Sequence, residues 1–181
     1  MKINIRKTLF CTAVLAIFVL PIMGNTACAS ENTYYFDGHH INEKWDNNPD
    51  NMDDGDPDTY ASTTEDDAAQ LLNSNTCTGT ESGTITGVFI RAKAYYTGAP
   101  RQVVLQPVFI GGEGDEHAFY PEFGEPHANW SDWFNITNDT NAYSYWTCRD
   151  VPFLQCNVTV GDGETGYTLY VSKVEIKVEY T

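Results

Sequence analysis

The eight residues before the C-terminal threonine alternate strictly between apolar and charged. Val174, Ile176, Val178 and Tyr180 interleave with Lys173, Glu175, Lys177 and Glu179. A period of two puts one set on each face of an extended chain, and the charged set keeps one of those faces in water. Such a segment cannot serve as a helix or as a doubly buried parallel strand, so it predicts a half-buried antiparallel strand. The same habit recurs at Ile85–Tyr96, Gln102–Ile110, Tyr143–Thr147, Asn157–Val160 and Tyr167–Val171. Turn-forming clusters separate these runs, among them Thr97-Gly98-Ala99-Pro100 and Gly111-Gly112-Glu113-Gly114-Asp115. Helical periodicity is confined to one short stretch, Glu65–Leu72, whose leading acids suit a helix N-terminus. Several short strands with regular turns predict an all-β fold, an antiparallel β-sandwich.

Composition supports a folded domain and excludes two classes of partner. With 41% hydrophobic and 13% aromatic residues the chain has the material for a core. Its 25 acids against 10 bases give a net charge of -15. Nucleic acid and anionic membrane surfaces recruit clustered Lys and Arg, and the only cluster is at residues 2–7. That cluster begins a leader-like segment. Lys2, Arg6 and Lys7 precede an apolar stretch from Leu9 to Met23, and Ala27-Cys28-Ala29 fits a small-x-small cleavage site. Residues 1–29 are therefore expected to be a signal peptide, and 30–181 a single β-sandwich domain that is secreted, extracellular or displayed at the cell surface. The apolar stretch, interrupted by Pro21, falls short of the ~20 residues that span a bilayer. No membrane span is expected in the mature chain. Lipidation at Cys28 would require an aliphatic residue where Asn25 stands.

Beyond the leader only seven bases remain against all 25 acids, a net charge of −18. Three cysteines remain, Cys77, Cys148 and Cys156. An odd number in an oxidising compartment predicts one intramolecular disulfide and one spare thiol, with the pairing open.

Ten of the acids lie between residues 43 and 67, most densely in Asn51-Met52-Asp53-Asp54-Gly55-Asp56-Pro57-Asp58-Thr59-Tyr60. Crowded carboxylates on a Gly/Pro turn suit a hard cation such as Ca²⁺, which takes six to eight oxygens. Asp53, Asp54, Asp56 and Asp58 are the candidate ligands. An EF-hand is excluded, since counting from Asp50 puts Met52 and Ala61 at ligand positions. Among the aromatic residues, Trp130 and Trp133 are the candidate ligand-binding platforms. They sit in the polar-interleaved run Asn129-Trp-Ser-Asp-Trp, and an indole face can stack on a sugar ring. His39, His40, His117 and His127 read as scattered surface histidines rather than as a metal set. The chain lacks His-Glu-x-x-His, Gly-x-Ser-x-Gly and a phosphate-binding loop, and no enzymatic activity is expected.

The segment Asp54-Gly55-Asp56-Pro57-Asp58-Thr59-Tyr60-Ala61-Ser62 resembles the Asp-Gly-x-x-x-Thr-x-Trp loop of the discoidin-type, galactose-binding-like β-sandwich family. Gly83-Thr-Ile-Thr-Gly-Val-Phe-Ile-Arg91 is similar to a strand of that family, and Tyr170-Val-Ser-Lys-Val-Glu-Ile-Lys-Val178 to its closing strand. Two positions depart from the pattern. Ala61 stands where the family has Trp, and Ser82 precedes Gly83 where the family has Leu. The resemblance implies a jelly-roll sandwich whose Asp-Gly loop surrounds a structural Ca²⁺, with oxygens from Asp54 and Asp56 and a turn held by Thr59. It also implies neighbouring loops that bind sugars or other surface ligands. The expected function is thus a secreted, non-catalytic recognition module for a glycan or cell-surface ligand. The alternative is a structural subunit of a surface layer, matrix or filament. It would self-associate through Ca²⁺, a spare cysteine or strand addition by a free N-terminal stretch, residues 30–42.

Overall fold

The structure, a computed structural model, describes residues 29–40, 45–66, 68–163 and 166–181. Apart from Ala29, the leader-like segment lies outside the described residues, as do Glu43, Lys44 and Asp67. No helix among the described residues is long and apolar enough to cross a membrane.

The fold is all-β. Its strands are β1 (Ser30–His39), β2 (Ala61–Thr63), β3 (Ala69–Asn75), β4 (Ile85–Thr97), β5 (Arg101–Phe109) and β6 (Gly112–Glu113). They continue as β7 (His117–Phe119), β8 (Glu122–Phe123), β9 (Asn129–Trp130), β10 (Phe134–Asn135), β11 (Gln155–Gly163) and β12 (Thr168–Tyr180). They form one curled sheet in the order β10-β4-β12-β1-β3-β11-β5-β6, with β2 added to β12, β7 to β5, and β8 and β9 to β4. Pairing is antiparallel throughout except for β8, which runs parallel to β4 and makes the sheet mixed.

The strand that bends the sheet is β1. Its first part, Ser30–Tyr35, pairs with Tyr180–Glu175 of β12, and its last part, Phe36–His39, pairs with Asn75–Leu72 of β3. Two register irregularities flank Gly38, where a Cβ would meet the Ser74 hydroxyl, so a larger residue would have to turn that side chain aside. The N-terminal stretch expected to be free is therefore committed up to His39 to joining the two halves of the sheet.

Both halves contribute to one core. Val88, Ile90, Ala92 and Ala94 of β4 and Val174, Ile176 and Val178 of β12 belong to the same buried cluster as Leu72, Val103, Leu105, Cys156 and Val158 from the other half. The alternation of β12 is obeyed up to a register shift between Val171 and Val174, which puts the buried Ser172 next to Lys173 without breaking the strand.

Two local expectations fail for identifiable reasons. The segment read as a helical turn, Glu65–Leu72, instead leads into β3. Gln70 and Leu72 are both buried while their neighbours are half-buried, a period of two, and Asp66 is held by Arg101 at 2.6 Å. Tyr143–Thr147 is no strand. Tyr143 and Trp146 turn inward onto Phe109, at ring separations of 6.2 and 5.8 Å, while the indole N–H of Trp146 donates to the Thr137 carbonyl. Aromatic packing there replaces a hydrogen-bonded ladder, and Tyr145 is 90% exposed.

Cys77, Cys148 and Cys156 are buried free thiols, so the disulfide expected from their number is not formed in the structure. Cys156 is wholly buried in β11, and burial pushes its thiol up to about 12. Because the folded value lies above the unfolded one, this stabilising contribution is complete below about pH 8.5 and is lost as pH rises toward 12. Wild type is expected to lose about 1 kcal/mol more per pH unit than Cys156→Ala above that point. Urea midpoints of both proteins at about pH 8 and about pH 10.5 test this linkage; parallel shifts would refute it.

Candidate functional site

The acidic loop is a rigid turn rather than a loose charge run. It begins at the 3-10 turn Pro49–Met52, whose Met52 is wholly buried and anchors it to the core. Asn51 donates from its side-chain amide to the Tyr60 carbonyl at 2.9 Å, closing the loop. Inside it, the Asp56 N–H donates to Asp54 Oδ1 at 2.8 Å and the Asp58 N–H to Asp56 Oδ1 at 2.9 Å. These are two successive turns of the kind that short acidic side chains make with the backbone two residues on. The Thr59 hydroxyl lies 2.6 Å from Asp54 Oδ2 and 3.2 Å from the Asp56 carbonyl, as its expected role in the turn requires. Gly55 takes a φ of 77° and packs where a Cβ would lie 2.8 Å from the Tyr35 ring, so both conformation and space select glycine. The Ser172 hydroxyl, at the irregularity of β12, donates to the Asp56 carbonyl at 3.3 Å and docks the loop on the sheet.

The four candidate carboxylates share this loop but face different partners. Asp53 is turned inward, 2.9 Å from His39 Nδ1, while Asp50 meets His39 Nε2 at 3.2 Å. Burial pushes the Asp53 carboxyl up, and His39 opposes the shift. Asp54 and Asp56 serve the loop backbone. Asp58, 84% exposed, receives Lys93 Nζ at 3.1 Å, and the same ammonium donates to the Pro57 carbonyl at 2.9 Å. Burial pushes Lys93 down, but its hydrogen bond to Asp58 and the neighbouring Tyr60 more than offset this, so the net shift is upward. Among the described residues no three His, Cys, Asp or Glu side chains are grouped as a metal centre. His117 pairs with Asp139 at 2.7 Å rather than with His127.

Trp130 and Trp133 come together on the outer face of β4 and β12. Between them lies the Arg91 guanidinium, 4.2 Å from one ring centroid and 4.1 Å from the other. Arg91 also donates through Nε and Nη2 to Glu175 Oε2, at 2.9 and 2.7 Å. Lys177 covers Phe89 at 4.3 Å and approaches Trp133 at 5.5 Å, and Lys173 covers Tyr35 at 4.4 Å. Both indoles are half-buried and already carry a cation on one face.

One ligand-sized cleft adjoins the loop. It has a volume of about 450 Å³ and is lined by Asp58, Tyr60, Lys93, Glu125 and Ala128. It thus combines two carboxylates, an ammonium group and an aromatic ring at a single opening. Sequence reasoning singled out Asp58 but missed Lys93 and Glu125. Lys93 belongs to an outward-facing row of β4, and nothing local marks it as the partner of a loop 35 residues away.

Comparison with known proteins yields no match to a family model, to a curated protein or to a solved structure.

Proposed function

We propose that this chain is a secreted, non-catalytic recognition module that binds a glycan or other cell-surface ligand in the cleft between the Asp-Gly loop and the turn at Glu125. The observation that supports this most is the lining of that cleft. Asp58, Lys93 and Glu125 offer donors and acceptors to hydroxyl groups, and the Tyr60 ring offers an apolar face. Trp130 and Trp133, with Arg91 between them, extend the same outer face as a second contact zone. The motif resemblance to discoidin-type, galactose-binding-like modules points the same way, and with it we propose that the curled sheet is a jelly-roll sandwich.

Ca²⁺ belongs to this proposal as a loop-stabilising ion. The donor chemistry fits a hard cation, since Asp54, Asp56 and Asp58 are exposed carboxylates with backbone carbonyls beside them. Asp53, buried against His39, is the least available of the four candidates. Chelation with EDTA is expected to lower the melting temperature, and Asp54→Ala with Asp56→Ala to remove that sensitivity. A melt indifferent to both Ca²⁺ and EDTA would exclude the ion.

The recognition reading is tested separately. On a glycan array, wild type is expected to retain a defined set of sugars, and Tyr60→Ala and Glu125→Gln to lose at least tenfold in apparent affinity. A blank array, or variants that bind as wild type does, would overturn the cleft as the site.

A further inference from the structure

Two of the three cysteines beyond the leader-like segment lie on adjoining segments. Cys77 follows β3, and Cys148 precedes β11; they are 6% and 8% exposed and belong to the same core cluster. The segments that carry them are in direct contact. A Cβ at Gly79 would lie 3.1 Å from the Cys148 carbonyl oxygen and 3.5 Å from the Arg149 Cα. Residues 79–81 and 146–149 line a common cleft of about 860 Å³, to which Cys148 itself contributes. The Cys77 thiol stands 3.7 Å from the Glu81 carboxylate. Burial pushes both thiols up, and the charge of Glu81 adds to the shift of each.

Cys156 stands apart. It is wholly buried in β11, opposite Leu72 of β3 and Pro107 of β5, with its thiol 3.7 Å from the Asn157 carbonyl. Neither segment carrying the other two cysteines adjoins it in the ladder.

We propose that Cys77 and Cys148 are an oxidisable pair that closes into a disulfide, and that Cys156 is the spare thiol. The oxidant is a small or protein disulfide of the thiol-exchange class. Cys148, which lines the cleft, loses its proton and attacks one sulfur of that disulfide. This forms a mixed disulfide and releases one thiol. The deprotonated Cys77 then attacks Cys148 Sγ, forming the Cys77–Cys148 bond and releasing the second thiol. Two protons leave the protein, and its two electrons end on the reduced oxidant. The bridge would tie the end of β3 to the approach of β11, enclosing β4 to β10, so it constrains the unfolded chain over a long loop.

The test uses the full chain incubated with glutathione disulfide, then denatured, alkylated with N-ethylmaleimide and mapped by mass spectrometry. Among Cys77, Cys148 and Cys156, the expected result is one alkylated thiol, at Cys156, with a Cys77–Cys148 linked peptide and a melting temperature that falls on reduction. Cys156→Ser should form the same bridge. Cys77→Ser should retain glutathione on Cys148, because the resolving thiol is missing. Alkylation of Cys77, Cys148 and Cys156 alike, or a linked peptide containing Cys156, would overturn the proposal.

Discussion

Arg101→Met is expected to cost about 3–5 kcal/mol of stability, the largest single effect anticipated for this protein. Arg101 begins β5 and is 1% exposed. One terminal nitrogen donates to the Thr64 carbonyl at 3.0 Å and to the Tyr167 carbonyl at 2.6 Å. The other donates to the Glu65 carbonyl at 3.1 Å and to Asp66 Oδ1 at 2.6 Å. The guanidinium thereby holds together the exit of β2, the entry to β12 and the start of β5, segments from both halves of the curled sheet. Methionine preserves much of the volume and supplies no donor, so three carbonyls lose their partner at about 1–3 kcal/mol for each that stays dry. Asp66 is half-exposed and recovers water, which keeps the total below the sum. Arg101→Lys should recover only part of the loss, because a point charge cannot span four acceptors in a plane. Urea denaturation of the three proteins measures the difference. A methionine variant within about 1 kcal/mol of wild type would mean that water satisfies these carbonyls as well as arginine does.

Arg91→Ala is the second large effect, expected at about 2–4 kcal/mol. Glu175 is 8% exposed, and both its hydrogen bonds from Arg91 end on one carboxylate oxygen. Removing the guanidinium leaves this buried charge with Lys173 alone, at 3.5 Å from its other oxygen, and that residual pair sets the lower end of the range. The two indoles lose the cation they flank. Tryptophan emission is therefore expected to move to the red as water reaches Trp130 and Trp133. Arg91→Lys restores the charge but not a flat group that fills the space between two rings, so its emission should still differ from wild type. An unchanged spectrum in Arg91→Ala would show that the rings repack without the arginine.

The elements legible in the sequence are those whose environment is set by their own pattern. β12 alternates because one face meets the core and the other carries charged groups that pair with one another and cover aromatic rings, and that contrast is written into every second residue. β4 and β5 were readable for the same reason. β1 was not. Ser30–His39 carries only Tyr34 and Phe36 as buried apolar residues, and its strand character comes from two different partners, β12 and β3. The alternation of Tyr143–Thr147 misled because the inward residues are Tyr143 and Trp146, a spacing of three that one face of a strand cannot provide and that a loop packed on Phe109 can. At the candidate site the division is similar. The Asp54–Thr59 turn closes on itself through hydrogen bonds over two to five residues, so its residue types announce it. The arrival of Lys93 and Glu125 beside the loop depends on strands folding back from afar.

The sequence by itself determined the class of fold, the concentration of its acids in one 25-residue stretch and the turn at the centre of that stretch, because each follows from neighbours in the chain. Only the tertiary structure decided where those carboxylates point. Asp53 turns to His39 and Asp58 to Lys93, since a charge takes the nearest complementary group, and in a curled sheet that group is chosen by pairing between distant strands.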